Sequence, residues 1–324
     1  MRILVTMPLN ERQKARLVQE APDAEFIFHV KSEVTKEDLA GADIILGNLS
    51  DPKLLLFAEN LKWIQLNNAG TEGYCDPQTL PPDVLLTNAT GAYGLAISEH
   101  MIGCLFMLRK KLHLYYADQM EENWKREGHV AVVDGSRVLS VGMGDIGSTF
   151  LRKMKGLGAV TVGIKRTPGE KPSYVDELWT PEALERELSL ADIVALSLPG
   201  NDTTRHMLNR SRLSLMKENA VLLNVGRGSA VDTEALTEYL YAGRIGGAAL
   251  DVTDPEPLPA GHPLWKAPNA IITPHVSGGF SLPETLEQIV EICADNLARY
   301  LRGEPLKNQV DRVSGYAMKF KLGD

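Results

Sequence analysis

Three things are scarce in this chain of 324 residues. Cysteine is the first: Cys75, Cys104 and Cys293 stand far apart, without the paired spacing of metal ligands. They read as reduced structural thiols, and no metal site is expected. Long apolar runs are the second: no stretch approaches the roughly 20 residues that a membrane span requires. The opening Met1-Arg2-Ile3-Leu4-Val5-Thr6-Met7 is too short in its apolar part for a signal peptide and reads as a strand, so a cytoplasmic location and no membrane partner are expected. Positive charge is the third. The 34 basic residues face 42 acidic ones, a net charge of −8, which argues against a broad nucleic-acid footprint. Repeats, low-complexity tracts and long charge blocks are also missing. What remains is the composition of a globular protein, 44% hydrophobic and 23% charged, at about twice the usual domain length, so two domains are expected.

Short apolar runs alternate with helix-like stretches from the start. Strands are expected at Ile3–Met7, Glu25–His29, Asp43–Leu46, Trp63–Leu66 and Val84–Thr87, with helices at Glu11–Glu20, Lys36–Ala40 and Pro52–Glu59. This alternation argues for a parallel sheet covered by helices. Ser98–Leu114 reads as an apolar helix capped by Ser98 and closed by Arg109-Lys110-Lys111, basic residues that suit a helix C-terminus. A second series follows. Its strands are expected at Arg137–Val141, Val160–Ile164, Ile193–Leu198, Ala220–Val225, Gly247–Asp251 and Ala270–Ile272. Its helices are expected at Gly147–Lys155, Pro181–Leu188, Arg210–Met216 and Thr233–Ala242. Six strands with intervening helices match a doubly wound dinucleotide-binding domain. Ser281–Arg302 reads as one long helix, with Pro283 in its first turn and Gly303 just past its end. Such a helix could carry the chain back to the first domain.

The sharpest local signal is Gly142-Met143-Gly144-Asp145-Ile146-Gly147. A lone G-x-G-x-x-G is weak, but here Val138-Leu139-Ser140-Val141 precedes it and helix-forming Phe150–Lys155 follows, the strand–turn–helix setting that the motif requires. Gly142 allows the tight turn, Gly144 lets a pyrophosphate approach the backbone, and Gly147 lets helix and strand pack closely. The N–H groups of the helix start, at Asp145, Ile146 and Gly147, then face the phosphates. An acid that reads the ribose 2′-OH is expected roughly 20 residues on. That window instead holds Lys165-Arg166-Thr167, two cations and a hydroxyl suited to a 2′-phosphate. NADP(H) is therefore favoured, with NAD(H) as the alternative if these cations are merely solvated.

Three polar residues follow strands of the second series, where ligands of open α/β sheets bind. Arg227 follows Leu222–Val225, Glu256 follows Ala249–Val252, and His275 follows Ile271–Pro274. An arginine can clamp a carboxylate through two parallel hydrogen bonds. A histidine exchanges protons near neutrality, and a carboxylate beside it fixes its ring. Each residue alone has a bland reading as a surface or loop group. Placed together on successive strand ends, they suit reduction of a 2-keto acid.

With these motifs the sequence resembles the D-isomer-specific 2-hydroxyacid dehydrogenase family. The carrying segments are Val141–Gly147, Leu198-Pro199 with Thr204, Leu223–Gly228 with Val231-Asp232, Ala249–Val252, Glu256-Pro257, Pro263–Trp265, Thr273-Pro274-His275 and Ser98-Glu99-His100. The likeness runs from about residue 40 to about residue 300. It implies an α/β fold of two doubly wound domains, with a Rossmann dinucleotide-binding domain (98–285) inserted into a flavodoxin-like substrate domain (1–97 and 286–324). It implies Arg227 as carboxylate and carbonyl anchor, His275 as acid/base and Glu256 as its partner. Asp251 would hold the nicotinamide amide, while Pro199, Thr204 and Val225 would line the cofactor. In the first domain, Asn68-Ala69-Gly70 matches the turn whose N–H groups bind the substrate carboxylate, with Ala69 and Gly70 as the donors. A homodimer joined through the cofactor domain is also implied. Two departures stand out: Lys165-Arg166 where many members carry an acid, and Thr71-Glu72-Gly73-Tyr74 after the substrate turn.

The reading is thus an NAD(P)-dependent 2-ketoacid reductase acting on a short substrate such as glyoxylate or hydroxypyruvate. One alternative is a cofactor-sensing binding protein of the same fold, of the corepressor kind; the complete Arg227, Glu256 and His275 set favours the enzyme. Another is a dehydrogenase for a large substrate such as phosphoglycerate, which predicts added basic residues near the substrate turn or a regulatory C-terminal domain; no such domain is expected. Tyr93, Trp265 and the Leu46–Ser50 loop are the places to look for substrate choice, with core packing as the bland reading of each.

Overall fold

The computed structural model of the chain describes residues 1–280, 282–313 and 315–318. The chain forms two compact units, Met1–Tyr93 with Leu282–Asp324, and Gly94–Ser281. In the first unit, β1 (Arg2–Val5), α1 (Glu11–Glu20), β2 (Glu25–Phe28), α2 (Lys36–Gly41), β3 (Ile44–Leu46), β4 (Trp63–Gln65) and β5 (Leu85–Thr87) follow one another. The strands pair in parallel in the order β2-β1-β3-β4-β5, which is the flavodoxin-like order. Both helices start at capping boxes, Asn10 with Gln13 and Thr35 with Asp38, which satisfy N–H groups that the first turn leaves unpaired. The helix expected at Pro52–Glu59 is a 3₁₀ helix over Pro52–Phe57, the tighter winding that short connections adopt.

The second unit runs through α3 (Gly94–Arg109), α4 (Leu112–Met120), β6 (Arg137–Val141), α5 (Asp145–Gly156), β7 (Val160–Ile164), β8 (Glu177–Trp179), α6 (Leu184–Leu190), β9 (Ile193–Leu196), α7 (Arg210–Leu213), β10 (Val221–Asn224), α8 (Thr233–Tyr241), β11 (Gly247–Leu250) and β12 (Ala270–Ile272). Its sheet is parallel throughout, in the order β12-β11-β10-β9-β6-β7-β8. Counted from β6, this is the Rossmann order with a seventh strand added. The central β9 and β10 are buried at every position, as apolar strands covered on both faces must be.

Three expectations need correction here. The sheet has seven strands, not six. The extra one, β8, is only three residues long and shows no periodicity. It is docked by Arg137 of β6, whose guanidinium takes both carboxylate oxygens of Glu177 at 2.8 and 2.7 Å and also binds buried Glu187 at 2.6 Å. The apolar helix begins at Gly94 rather than at a Ser98 cap. Ser98 lies buried inside it, its hydroxyl donating to the Leu95 carbonyl at 3.0 Å. The helix start is instead satisfied from α5, where the Asp145 carboxylate accepts the Gly94 N–H at 2.8 Å. The same helix ends at Arg109, because Lys111 takes a left-handed conformation (φ +57°) and a separate helix follows. Finally, the stretch expected as a helix over Arg210–Met216 is helical only to Leu213.

The chain then forms α9 (Pro283–Arg302), part of the first unit, with Pro283 in its first turn and Gly303 closing it at φ +70°. Ser281, its expected first residue, lies outside the described residues. A short antiparallel pair follows, β13 (Val310–Asp311) with β14 (Tyr316–Ala317). A buried polar chain fixes α9 to the sheet. Asn296 Nδ2 donates to Gln65 Oε1 at 2.8 Å, Thr87 Oγ1 donates to the same oxygen at 2.7 Å, and Trp63 Nε1 donates to Thr87 Oγ1 at 2.8 Å. Every member has a partner, so the network specifies one register rather than penalising burial.

Among the described residues, no helix is long and apolar enough to cross a membrane and no His/Cys/Asp/Glu cluster could hold a metal ion. All three cysteines are free. Burial pushes the Cys104 thiol up to about 11 and the Cys293 thiol up to about 12, so both stay protonated at neutral pH.

Candidate active site

The glycine turn lies between β6 and α5, beside the end of β9, where the strand order reverses. Gly142 holds φ +106°, and a Cβ there would come within 2.8 Å of the Ser197 carbonyl oxygen. At Gly147 a Cβ would stand 2.0 Å from the Gly142 carbonyl oxygen, so only glycine lets helix and strand approach this closely. Gly144 differs: a Cβ there would meet nothing within 4 Å. It is the N-cap of α5 and supplies no side-chain cap, so nothing of its own covers the N–H groups that begin the helix. An open glycine before an uncapped helix N-terminus fits a dinucleotide pyrophosphate.

The Gly142 N–H donates to the Ile164 carbonyl at 3.1 Å, which ties the turn to the end of β7. Lys165, Arg166 and Thr167 follow that end directly, Lys165 half-buried and the other two exposed. A Cβ on Gly169 would come within 2.4 Å of Lys165 Nζ, so the loop folds over the ammonium. After β9, the Thr204 hydroxyl donates to the Pro199 carbonyl at 2.8 Å and accepts the Asn201 N–H at 3.0 Å. Buried Thr204 therefore pins this loop from inside. Val225, after β10, is buried and donates its N–H to the Leu196 carbonyl at 3.1 Å.

His275 and Glu256 meet directly, His275 Nδ1 lying 2.7 Å from Glu256 Oε1. A carboxylate only accepts, so Nδ1 carries the donated hydrogen and Nε2 is the nitrogen left for proton exchange. Both side chains are exposed on the second unit. His275 sits at φ +53°, a conformation that costs a non-glycine residue about 1–2 kcal/mol. Its own N–H donates to the Asp251 carbonyl at 2.8 Å. Asp251, the buried residue after β11, holds the rest of the loop. Its Oδ1 accepts the Thr273 hydroxyl at 2.6 Å and the Val276 N–H at 3.0 Å, and its Oδ2 accepts the Ser277 N–H at 3.1 Å and hydroxyl at 2.5 Å. These four bonds fill the acceptor directions of the carboxylate. Burial pushes the Asp251 carboxyl up, but the bonds from Ser277 and Thr273 outweigh it and hold it below the usual carboxylate range. Thr273 also lies 3.2 Å from His100 Nε2 of α3.

Arg227 follows β10 between two glycines that have no room for a side chain. A Cβ on Gly226 would stand 2.5 Å from the Leu198 carbonyl oxygen, and one on Gly228 would stand 1.9 Å from that of Thr253. The Arg227 guanidinium donates to the Gly226 carbonyl at 2.8 Å.

In the first unit the Asn68–Gly70 turn is propped through its carbonyls. Asn67 accepts the Tyr93 hydroxyl, Asn68 the Ala89 N–H at 2.9 Å, and Ala69 the Asn88 side chain at 2.8 Å. With the carbonyls turned inward, the N–H groups of Ala69 and Gly70 find no partner among the described residues. Asn48 and Asn67 exchange reciprocal side-chain-to-backbone bonds at 2.6 and 2.9 Å, which joins the Leu46–Ser50 loop to this turn. Trp265 donates its indole N–H to the Pro259 carbonyl at 3.0 Å. The sequence reading missed the loop-holding parts of Thr273, Ser277, Asn48 and Asn67. Only Thr273 carried a signal, its place beside Pro274-His275.

Residues 102–277 match the family model described as D-isomer specific 2-hydroxyacid dehydrogenase, NAD binding domain. The structure is similar to that of a D-isomer specific 2-hydroxyacid dehydrogenase family protein from Aeromonas salmonicida, at 31% identity and a TM-score of 0.85, covering 96% of this chain and 99% of that one. It is also similar to an NADPH-dependent glyoxylate/hydroxypyruvate reductase from Sinorhizobium meliloti solved with NADP and sulfate, at 28% identity and a TM-score of 0.81, covering 97% and 99%. In sequence it is 28% identical to a glyoxylate reductase of Korarchaeum cryptofilum over 96% of both chains. With a family model that spans more than half of its length and a dinucleotide cradle at the switch point of its larger sheet, this chain belongs to the D-isomer specific 2-hydroxyacid dehydrogenase family.

Proposed function

We propose that the protein reduces a short 2-keto acid to the D-2-hydroxy acid with NADPH, and runs the reverse oxidation. The observation that carries this reading is the 2.7 Å pair of His275 and Glu256, on the same sheet as the glycine turn and Arg227. A sensing scaffold has no need of an oriented imidazole; a carbonyl reductase does. A dihydronicotinamide dinucleotide held at the Gly142–Gly147 turn would supply the hydride. His275 Nε2 delivers the proton to the carbonyl oxygen, while Glu256 holds the ring through Nδ1. Arg227 takes the carboxylate and carbonyl oxygens. In the first unit, the N–H groups of Ala69 and Gly70 bind a carboxylate. The Sinorhizobium relative, named for glyoxylate and hydroxypyruvate, supports a substrate of two or three carbons. The test is a panel of 2-keto acids assayed with NADPH and NADH in parallel; turnover of none with either cofactor sinks the assignment.

Lys165, Arg166 and Thr167 are the proposed 2′-phosphate site. Charge-assisted hydrogen bonds contribute about 1.5–3 kcal/mol, and exposure places this site at the lower end of that range. Replacing Lys165 and Arg166 by alanine together is therefore expected to raise the Kd for NADPH by roughly tenfold or more, with little change for NADH. Fluorescence titration of both cofactors checks this. Equal losses for the two would remove the 2′-phosphate reading.

The second unit also supports a homodimer. Tyr116 and Met120 of α4, then Trp124, Val130 and Val132 in a stretch without helix or strand, are exposed. Large apolar side chains left exposed in number are what a protein interface would cover. Arg109 anchors the far end of this stretch by donating to the Val132 carbonyl and to Ser136 Oγ. Light scattering should return twice the chain mass of 35.6 kDa, and Trp124→Glu should shift the protein toward monomer. A parent protein that runs as a monomer would exclude this interface.

A further inference from the structure

Asn224 is the last residue of β10 and is 1% exposed. Its side chain turns back on the loop that it begins. Oδ1 accepts the Gly226 N–H at 3.1 Å, and Nδ2 donates to the Arg227 carbonyl at 3.0 Å. One partner is a donor and the other an acceptor, so the amide can point only one way. Aspartate would set an acceptor against the Arg227 carbonyl, and an aliphatic residue would leave both groups buried and unpaired. The loop is thus clamped from outside by the carbonyls of Leu198 and Thr253, which leave Gly226 and Gly228 no room for a Cβ, and from inside by Asn224. The stem of Arg227 also rests on Gly200, where a Cβ would lie 3.1 Å from Arg227 Cγ.

We propose that Asn224 is a positioning residue for Arg227, setting the direction in which the guanidinium leaves the loop and hence the angle of its two-bond grip on a 2-keto acid. This rests on the reading of Arg227 as the substrate anchor. The physical reason is leverage. Arginine recognises a carboxylate through a rigid planar fork, and the fork sits at the end of a long side chain. A small rotation of the Arg227 peptide therefore becomes a large error at the guanidinium. Misplacement by about 1 Å costs on the order of a hundredfold in rate.

The test is a double-mutant cycle assayed with glyoxylate and NADPH, using Asn224→Ala, Arg227→Lys and the double variant. Lysine keeps the charge but has no fork to aim. Asn224→Ala is expected to lower kcat/KM roughly ten- to a hundredfold, mainly through a higher KM for glyoxylate, with the Kd for NADPH within about twofold. In the Arg227→Lys background the same change should cost less than about threefold, because groups acting through one another are not additive. Equal losses in the two backgrounds, or no loss in the parent, overturn the proposal. Asn224→Asp keeps the side-chain shape and serves for the cycle if the alanine variant does not fold. If neither variant folds, Asn224 is a purely structural residue and the proposal is likewise overturned. Arg227→Lys as active as the parent overturns the anchor reading instead, and so separates the two failures.

Discussion

His275→Ala is expected to lower kcat by about two to four orders of magnitude while the affinity for NADPH stays within about twofold. The size of the loss follows from what the ring is held to do. Glu256 fixes Nδ1 at 2.7 Å, so Nε2 is the one nitrogen left to hand a proton to a carbonyl oxygen. No second acid replaces it in that loop: Asp251 is an ionised acceptor whose four directions are taken by Thr273, Val276 and Ser277. The cofactor cradle is built on β6 and α5 and shares no hydrogen bond with His275 among those described, which is why binding should survive. Steady-state turnover and fluorescence titration of NADPH measure the two quantities separately. Turnover within tenfold of the parent would exclude His275 as the acid. Glu256→Gln should cost less than the alanine change at His275, because the glutamine oxygen still accepts from Nδ1 and only the negative charge is lost.

Arg227→Ala should remove about 2–5 kcal/mol of transition-state stabilisation, as loss of one partner of a hydrogen-bonded charge pair does. That corresponds to roughly a 30- to 5,000-fold fall in kcat/KM for a 2-keto acid. The backbone there is fixed by Gly226, Gly228 and Asn224, so the substitution removes a side chain without releasing the loop. The melting temperature should therefore move little. An aldehyde that lacks the carboxylate provides the control, since it offers the guanidinium fewer oxygens and should be affected much less. If both substrates lose activity equally, Arg227 does not anchor the carboxylate.

Much of this protein is written in short-range chemistry. The strands Arg137–Val141, Val160–Ile164 and Ala270–Ile272 and the helix Glu11–Glu20 coincide with the sequence expectation, residue for residue. Each is bounded by its own turn or capping residues, which are legible without knowing its neighbours in space. That both larger sheets are parallel follows from the alternation of strands and helices, since parallel strands need crossovers. The placing of Arg227, Glu256 and His275 after strands could also be read, because a strand end is a local event.

Other features were not local. Ser98 looks like a cap, but Asp145, 51 residues after Gly94, satisfies the helix start instead. The strand Glu177–Trp179 has no pattern of its own; it pairs with β7, and Arg137 of β6 grips Glu177. Thr204 is expected along the cofactor, and the bonds of its hydroxyl to the Pro199 carbonyl and the Asn201 N–H come from the fold of its own loop. The sequence by itself determined which residues are available: the glycine turn, the cations after β7, and the trio at the strand ends. Only the tertiary structure decided which partner each buried polar group takes. A donor or acceptor removed from water must pair with whatever the strand order brings beside it, and strand order is a property of the whole sheet.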